Sequence, residues 1–363
     1  MRIAEHSLHF YKLPYHRPVH WFNSAEDEGT FVLLRLAGDN GSAGVSEAPI
    51  KPTWSGVSPR SVAAVIEDLL VPALRETDIA DQAAVAAILA RFPENHLAKM
   101  LVDNACCTLR AATEKEPLWR SLGGTQDAEV SWTVTRQPPD LMAKESADVV
   151  ARHGFRGLKI KGGQGLETDI SALRKIRAAV SDTIDFYVDA NGAYSREEAP
   201  DYVRAIAAEG ALVAEDPCVL HPDDLFTRFQ AESPIPILVD SPCASVRDAA
   251  AFLERGAKAL SVKPGRIGIT ECGKVTALAR ARGANVCSGM YAESALGTLI
   301  SLQLSAALKE PLVTAEQSFF LIMRDHVVRD DVTVSGGRVK LPATADYAGL
   351  VDWDKVKRYA FAP

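Results

Sequence analysis

The sequence predicts an α/β protein in which a (β/α) barrel follows a smaller α+β lobe. Phe186-Tyr187-Val188-Asp189, Ala211-Leu212-Val213-Ala214-Glu215, Ile237-Leu238-Val239-Asp240 and Ala259-Leu260-Ser261-Val262-Lys263 are apolar runs that each end in a charge, at intervals of 26, 25 and 23 positions. Each interval has room for one strand, one loop and one helix, so these are successive βα units with a charged residue at the carboxyl end of each strand. From residue 128 onward eight such strands alternate with helical patterns, which favours a closed barrel over an open sheet. Residues 1 to 125 do not share that rhythm.

In chain order, Arg2 to Tyr11 alternates as a strand, and Tyr15 to Asn23 reads as a polar, aromatic loop. Thr30 to Leu36 returns as a strand, and Gly38-Asp39-Asn40-Gly41 turns it into Ala43 to Ala48. Helical patterns follow at Ser61 to Leu74, with Ser61 as the expected cap, then at Asp81 to Arg91 and Leu97 to Glu114. The turn-rich Leu122-Gly123-Gly124-Thr125 marks the boundary: the lobe is residues 1–125, completed by the tail 350–363, and the barrel is 126–349. The barrel strands are expected at Ala128 to Thr135, Gly157 to Lys161, Phe186 to Asp189, Ala211 to Glu215, Ile235 to Asp240, Ala259 to Lys263, Asn285 to Met290 and Leu312 to Glu316. Helices between them include Glu167 to Val180, Arg196 to Glu209, Ser245 to Arg255 and Glu271 to Arg282.

With 47% hydrophobic and 24% charged residues, the chain is of ordinary globular composition. A net charge of -7, without a basic run, argues against nucleic acid as a partner. No window approaches 18 uninterrupted apolar residues, and the N-terminus has no apolar leader, so no membrane association is expected. The six cysteines show no paired framework, which suits reduced thiols in the cytoplasm.

The chemistry is carried by Gly157-Leu158-Lys159-Ile160-Lys161, a strand that sends Lys159 and Lys161 to one face. Two buried ammonium groups are costly without anions nearby, and Asp189, Glu215 and Asp240 supply them from the following strand ends. Three carboxylates converging on open positions suit a hard divalent cation, Mg²⁺ with Mn²⁺ as an alternative, and the absence of His or Cys beside them argues against zinc. Such a cation makes the carbon next to a substrate carboxylate acidic by stabilising the enediolate. Lys161 is then the acid/base, Lys159 the ammonium that tunes it and contacts the carboxylate, and Lys263 faces it from across the ring. Gly162-Gly163-Gln164-Gly165 lacks phosphate-loop spacing and reads as a barrel loop.

These residues resemble the enolase superfamily, specifically its muconate lactonizing enzyme subgroup. The resembling motifs are Lys159-Ile160-Lys161, Asp189-Ala190-Asn191, Glu215-Asp216-Pro217, Asp240, Val262-Lys263-Pro264-Gly265-Arg266-Ile267-Gly268, Gly289 to Gly297, and Ala315-Glu316-Gln317. The resemblance implies a modified TIM-type (β/α)7β barrel with an N-terminal α+β capping domain. It also implies metal ligands Asp189, Glu215 and Asp240, acid/bases Lys161 and Lys263, and substrate or electrostatic contacts at Lys159, Asn191, Glu293, Glu316, His20 and Trp54. The loop His16 to Asn23 is similar to the one that closes over substrate in that family, and Lys51 to Gly56 would be a second. For Glu293 and Glu316 a helix-start role competes. Gln317-Ser318-Phe319 departs from the family's more typical Leu-Phe-Gly and implies an altered pocket.

The expected reaction is metal-dependent abstraction of a proton α to a carboxylate, in a cycloisomerase-like isomerase or lyase acting on a small carboxylate, within a homo-oligomer. Racemisation or epimerisation of N-substituted amino acids or dipeptides, and elimination as in acid dehydratases or o-succinylbenzoate synthase, share its first half. From other classes, a Schiff-base lyase leaves the carboxylates unexplained, and a binding-only barrel leaves the lysine pair unexplained.

Overall fold

The computed structural model describes residues 1–21 and 24–363. Three antiparallel strands, Ile3–His20, Ala25–Gly38 and Ala43–Pro49, form the lobe's sheet in sequence order, with Phe10 opposite Val32 and Leu34 opposite Ser46. The first strand runs nine residues past the expected end at Tyr11, through Pro14 and Pro18, with a register shift between Pro14 and Val19. Both prolines read as breakers in the sequence, but this is an edge strand, where a missing amide is tolerated. Period two therefore governs part of the expected loop: Tyr15 and Val19 are buried, and His16 and His20 are exposed. Phe22 and Asn23, the end of that loop, lie outside the described residues.

After a short helix at Pro52–Ser55, the helix expected from Ser61 begins at Pro59, capped by Ser58, and Ser61 is its reciprocal partner in a capping box rather than the cap itself. It widens into a π turn over Val65–Leu70 and resumes at Val71–Leu74, where Pro72 offers no amide to an α ladder. Gln82–Ala90, capped by Asp81, and the long helix His96–Glu114 follow. The long helix lies hard against the Ala43–Pro49 strand, and a Cβ on Gly44 would stand 2.3 Å from the Ala105 carbonyl oxygen. The chain's end returns to this lobe, where the Phe361 amide donates to the Phe10 carbonyl at 3.0 Å and the Lys12 amide to Tyr359 at 3.1 Å.

Seven parallel strands in sequence order curl into the barrel: Trp132–Val134, Gly157–Lys161, Asp185–Asp189, Ala211–Glu215, Ile237–Val239, Ala259–Val262 and Asn285–Ser288. Two expectations are corrected at its seam. The run Ala128 to Thr135 splits, because Asp127–Glu129 pairs antiparallel with Arg338–Lys340 and only Trp132–Val134 joins the barrel. Leu312 to Glu316 is not a regular strand. It follows Pro311 and holds the eighth place through single bonds, with Ser131 N donating to Ala315 O at 2.8 Å and Glu316 N to Ser288 O at 2.9 Å. Among the described residues, the helices longer than one turn that the pattern left unnamed are Pro139–His153, Asp224–Glu232, Ala295–Ser305 and Trp353–Arg358.

Inside the barrel, Tyr187, Val213, Leu238, Ala259 and Cys287 form an apolar layer. Side chains on a strand alternate, so residues two further along point the same way. Asp189, Glu215 and Asp240 therefore sit directly above Tyr187, Val213 and Leu238, at the carboxyl-end mouth where barrel enzymes place their chemistry. The six cysteines are buried and unpaired. Among the described residues, no helix is long and apolar enough to cross a membrane.

Lobe and barrel are tied by Asn104 of the long helix. Its buried amide group donates to Pro264 O at 3.0 Å and accepts from Ile269 N at 2.8 Å, bracketing the turn after Lys263. Asn104→Ala strands both backbone groups, and the expected loss of stability is about 2–4 kcal/mol. Urea unfolding checks it, and a loss under about 0.5 kcal/mol would show that those groups find other partners.

Candidate active site

The second barrel strand carries the centre of the site. Lys159 Nζ is buried and lies 3.0 Å from Asp189, 2.6 Å from Glu215 and 2.9 Å from Glu316. Lys161 Nζ, one strand repeat further out, donates to Asp189 Oδ2 at 2.6 Å and to Asn191 Oδ1 at 3.2 Å. Lys263 Nζ, from the sixth strand, donates to Asp240 Oδ2 at 2.5 Å. Gly289 leaves room for it, since a Cβ there would stand 2.6 Å from Lys263 Cε.

Burial and charge pull these groups in opposite directions. Burial raises the Asp189 carboxyl, but Lys159 and Lys161 outweigh it and hold the group well below the usual carboxylate range. Asp240 is held down against burial in the same way by Lys263 and then Arg266. Glu215 goes the other way, pushed up by burial and by the Asp189 charge. Lys159 was expected as the ammonium that tunes its neighbour; burial alone would lower it, but Asp189, Glu215 and Glu316 raise it well above the ordinary lysine value. Its charge is thus engaged by three carboxylates, which limits what it imposes on Lys161.

Glu215 Oε1 and Asp240 Oδ1 are buried and accept no hydrogen bond. Buried carboxylate oxygens without donors are what a hard cation needs, so the donor set fits a divalent ion. As they stand, no three His, Cys, Asp or Glu side chains among the described residues are spaced to hold a metal, and one oxygen each of Asp189 and Asp240 accepts from a lysine.

These groups form the floor of a cavity of about 270 Å³. Lys159, Lys161, Asn191, Asp240, Lys263, Glu316 and Trp54 line it, as the sequence suggested; Asp189 and Glu215 stand directly behind the lysines. Two expected residues are not there. His20 is exposed and takes no part in the lining, while its neighbour Trp21 does. Glu293 is turned into the core, where it accepts from Tyr291 N at 2.7 Å and Ser301 Oγ at 3.2 Å. Sequence reasoning passed over Trp21, Arg266, Met290, Tyr291 and Ser241 as lining residues. Arg266 had a signal: it follows Lys263 by three positions, and its guanidinium donates to the carbonyls of Asp240 and Ser241. A larger cavity of about 510 Å³ lies between the lobe's helices, at Ala86 to Asp103, and the barrel residues Ala244 to Asp248 and Ile267 to Lys274.

Residues 141–349 match the family model for the enolase C-terminal domain-like fold, and residues 7–123 match the mandelate racemase/muconate lactonizing enzyme N-terminal domain. The chain belongs to the enolase superfamily. It is an isomerase or lyase of that superfamily, whose members generally use Mg²⁺. It is 28% identical to the L-Ala-D/L-Glu epimerase of Bacillus subtilis over 86% of each chain, and 23% identical to the chloromuconate cycloisomerase of Cupriavidus necator over the whole of both. The muconate lactonizing enzyme from Mycobacterium smegmatis, solved with muconolactone, superposes over the whole of both chains with a TM-score of 0.94 at 26% identity.

Behind the mouth, Glu47 of the lobe accepts from the Tyr11 hydroxyl and from Ser294 N at 3.1 Å. Burial pushes its carboxyl up to about 7 from an ordinary 4.5, against those hydrogen bonds. A carboxyl raised in the fold favours the native state while protonated, so its contribution is complete below about pH 4.5 and is lost as pH rises through about 7. Glu47→Gln is expected to remove a fall in stability of about 3 kcal/mol across that window. Urea midpoints of both chains at pH 4.5 and 7.5 check it, and parallel pH profiles would refute it.

Proposed function

We propose that the protein moves the proton α to the carboxylate of a small substrate: its removal gives an enediolate that opens a lactone ring, and in the reverse direction ring closure gives the enediolate that is then protonated, a cycloisomerase-like reaction. The observation that carries this reading is that Lys161 and Lys263, from strands two and six, line one cavity, each held by its own carboxylate. Asp189, Glu215 and Asp240 would hold Mg²⁺, with Mn²⁺ as an alternative. When bound, it supplies positive charge to the substrate carboxylate and acidifies the adjacent carbon. In the ring-opening direction, Lys161 Nζ takes the α proton of a lactone acid. The electron pair becomes a carbon–carbon double bond, and the ring oxygen leaves as a carboxylate. In the closing direction the oxygen adds, and Lys161 returns the proton. Lys263 offers its ammonium from the far side, and Lys159 keeps the buried carboxylates compensated throughout.

The cycloisomerase relatives and the muconolactone-bound neighbour support this reading. Dipeptide epimerisation is supported to a similar degree by the epimerase relative and by the substrate-liganded epimerase structure. A second reading, racemisation of an N-acylated amino acid, is favoured by the placement of two lysines on well-separated strands, since racemisation needs a base and an acid on opposite faces of one carbon.

Proton exchange in D₂O, followed by NMR, tests both with muconolactone and with N-succinyl amino acids. Exchange at the α carbon is expected with Mg²⁺ and not with EDTA, and Lys161→Ala should slow it by roughly 10²–10⁴. Exchange into muconolactone supports the first reading, and exchange with loss of optical rotation in an N-acyl acid supports the second. Exchange that persists in EDTA or in Lys161→Ala would sink the mechanism.

A further inference from the structure

The roof of the cavity is built around a charge that the cavity does not see. Trp21 and Trp54 meet edge to face, with ring centres 4.9 Å apart at 86°, and Trp54 meets Tyr291 at 5.3 Å and 75°. All three rings line the cavity above the lysine floor. Behind them Lys51 is 1% exposed, with its Nζ 5.0 Å from the centre of Trp21 and 5.4 Å from that of Trp54. Glu26 pairs with this ammonium, and the same oxygen, Oε2, accepts from Trp21 Nε1 at 3.1 Å. The Tyr15 hydroxyl lies 3.4 Å from Lys51 Nζ.

A buried ion pair is a poor way to fill space. Replacing one with an apolar side chain of similar volume is often neutral or stabilising, because desolvation costs several kcal/mol per ion. Here burial pulls the Lys51 ammonium below its ordinary range even though Glu26 opposes the shift. What the pair supplies that an apolar residue would not is orientation. The carboxylate fixes the Trp21 ring by its N–H, and the ammonium draws the faces of two indoles toward one point. A methionine would supply neither the cation that faces the two indoles nor the charge that holds Glu26 in place.

We propose that Lys51 and Glu26 are a positioning pair that locks Trp21 and Trp54 over the lysine floor, and that this roof selects carboxylates bearing a planar, unsaturated or aromatic substituent. The proposal rests on the proposed function only in placing the substrate carboxylate on the floor. Rigid aromatic walls reward a flat group that can stack or meet them edge-on, and a flexible alkyl chain gains less and loses more rotamer freedom.

The test is equilibrium binding of benzoate and of hexanoate in Mg²⁺, read by tryptophan fluorescence, with near-ultraviolet circular dichroism of the resting protein and its melting temperature. The intact protein is expected to prefer benzoate by about tenfold or more, and Lys51→Met to reduce that preference to about threefold or less with loss of the coupled-tryptophan dichroism. Glu26→Gln should do the same, and Lys51→Arg, which keeps the cation, should restore both signals. If Lys51→Met does not fold, Glu26→Gln decides. Preference and dichroism unchanged in the variants, or no preference in the intact protein, overturns the proposal. The readout is binding, so selective benzoate binding without proton exchange in any acid would sink the catalytic reading and leave the roof standing.

Discussion

The structure depends on a cluster of buried charge at the barrel mouth. Lys159, Lys161 and Lys263 face Asp189, Glu215, Asp240 and Glu316, and none of these groups is tolerable alone in a protein interior. Together they are compensated in pairs, with Lys159 shared among three acids. The compensation is incomplete on the acidic side, as the unpartnered oxygens of Glu215 and Asp240 show. A site that is stable only with its charges paired, yet keeps acceptor oxygens in reserve, is prepared for one more cation. That residual demand links the fold's electrostatics to its chemistry.

The barrel holds this cluster through strand periodicity, and the lobe encloses it. An apolar layer under the charges keeps water from reaching them through the barrel, and the Trp21, Trp54 and Tyr291 roof covers them from above. The two halves must keep register to within the length of a side chain. Asn104 does this next to Lys263, and Glu47 does it at Ser294, both by satisfying backbone groups of one half with a side chain of the other. Errors in either contact would reach the lysines directly, because Lys263 begins the turn that Asn104 brackets.

The floor of the site was legible in the sequence, and the roof only in part: Trp54 lines the cavity as expected, whereas Trp21, Met290 and Tyr291 were not singled out. Asp189, Glu215, Asp240 and Lys263 recur at βα spacing and lie two or four residues beyond apolar positions, so period two places them without knowledge of the fold. Lys159 and Lys161 follow from the same rule. His20 fails for a local reason: the ribbon continues past Pro14 and Pro18, which read as breakers, and one residue of displacement moves a side chain to the other face, giving the place to Trp21. Glu293 fails because its orientation is set by Ser301 and Tyr291, contacts that no periodicity encodes. The pairing of Lys51 with Glu26 joins the residue that precedes the short helix Pro52–Ser55 to the start of the strand Ala25–Gly38, 25 positions earlier, and no spacing in the sequence marks the two as partners. The seam of the barrel was misread because strand eight survives as isolated backbone bonds, for which Leu312 to Glu316 carries no distinctive pattern.

This division between floor and roof also bears on how one fold supports several reactions. Relatives at similar identity are named for cycloisomerisation, epimerisation and o-succinylbenzoate synthesis. In the proposed mechanism, moving a proton next to a carboxylate needs only the floor: lysines, carboxylates and a cation. The fate of the enediolate depends on the rest of the substrate and how it is held, and those contacts come from the lobe and from the loops after strands six and seven. In this chain the roof is aromatic, and the lining acids Asp240 and Glu316 are each paired with a lysine. The burial of a lysine behind those rings, at an energetic cost that an apolar residue would avoid, makes their orientation part of the chemistry of the site and not only of its packing.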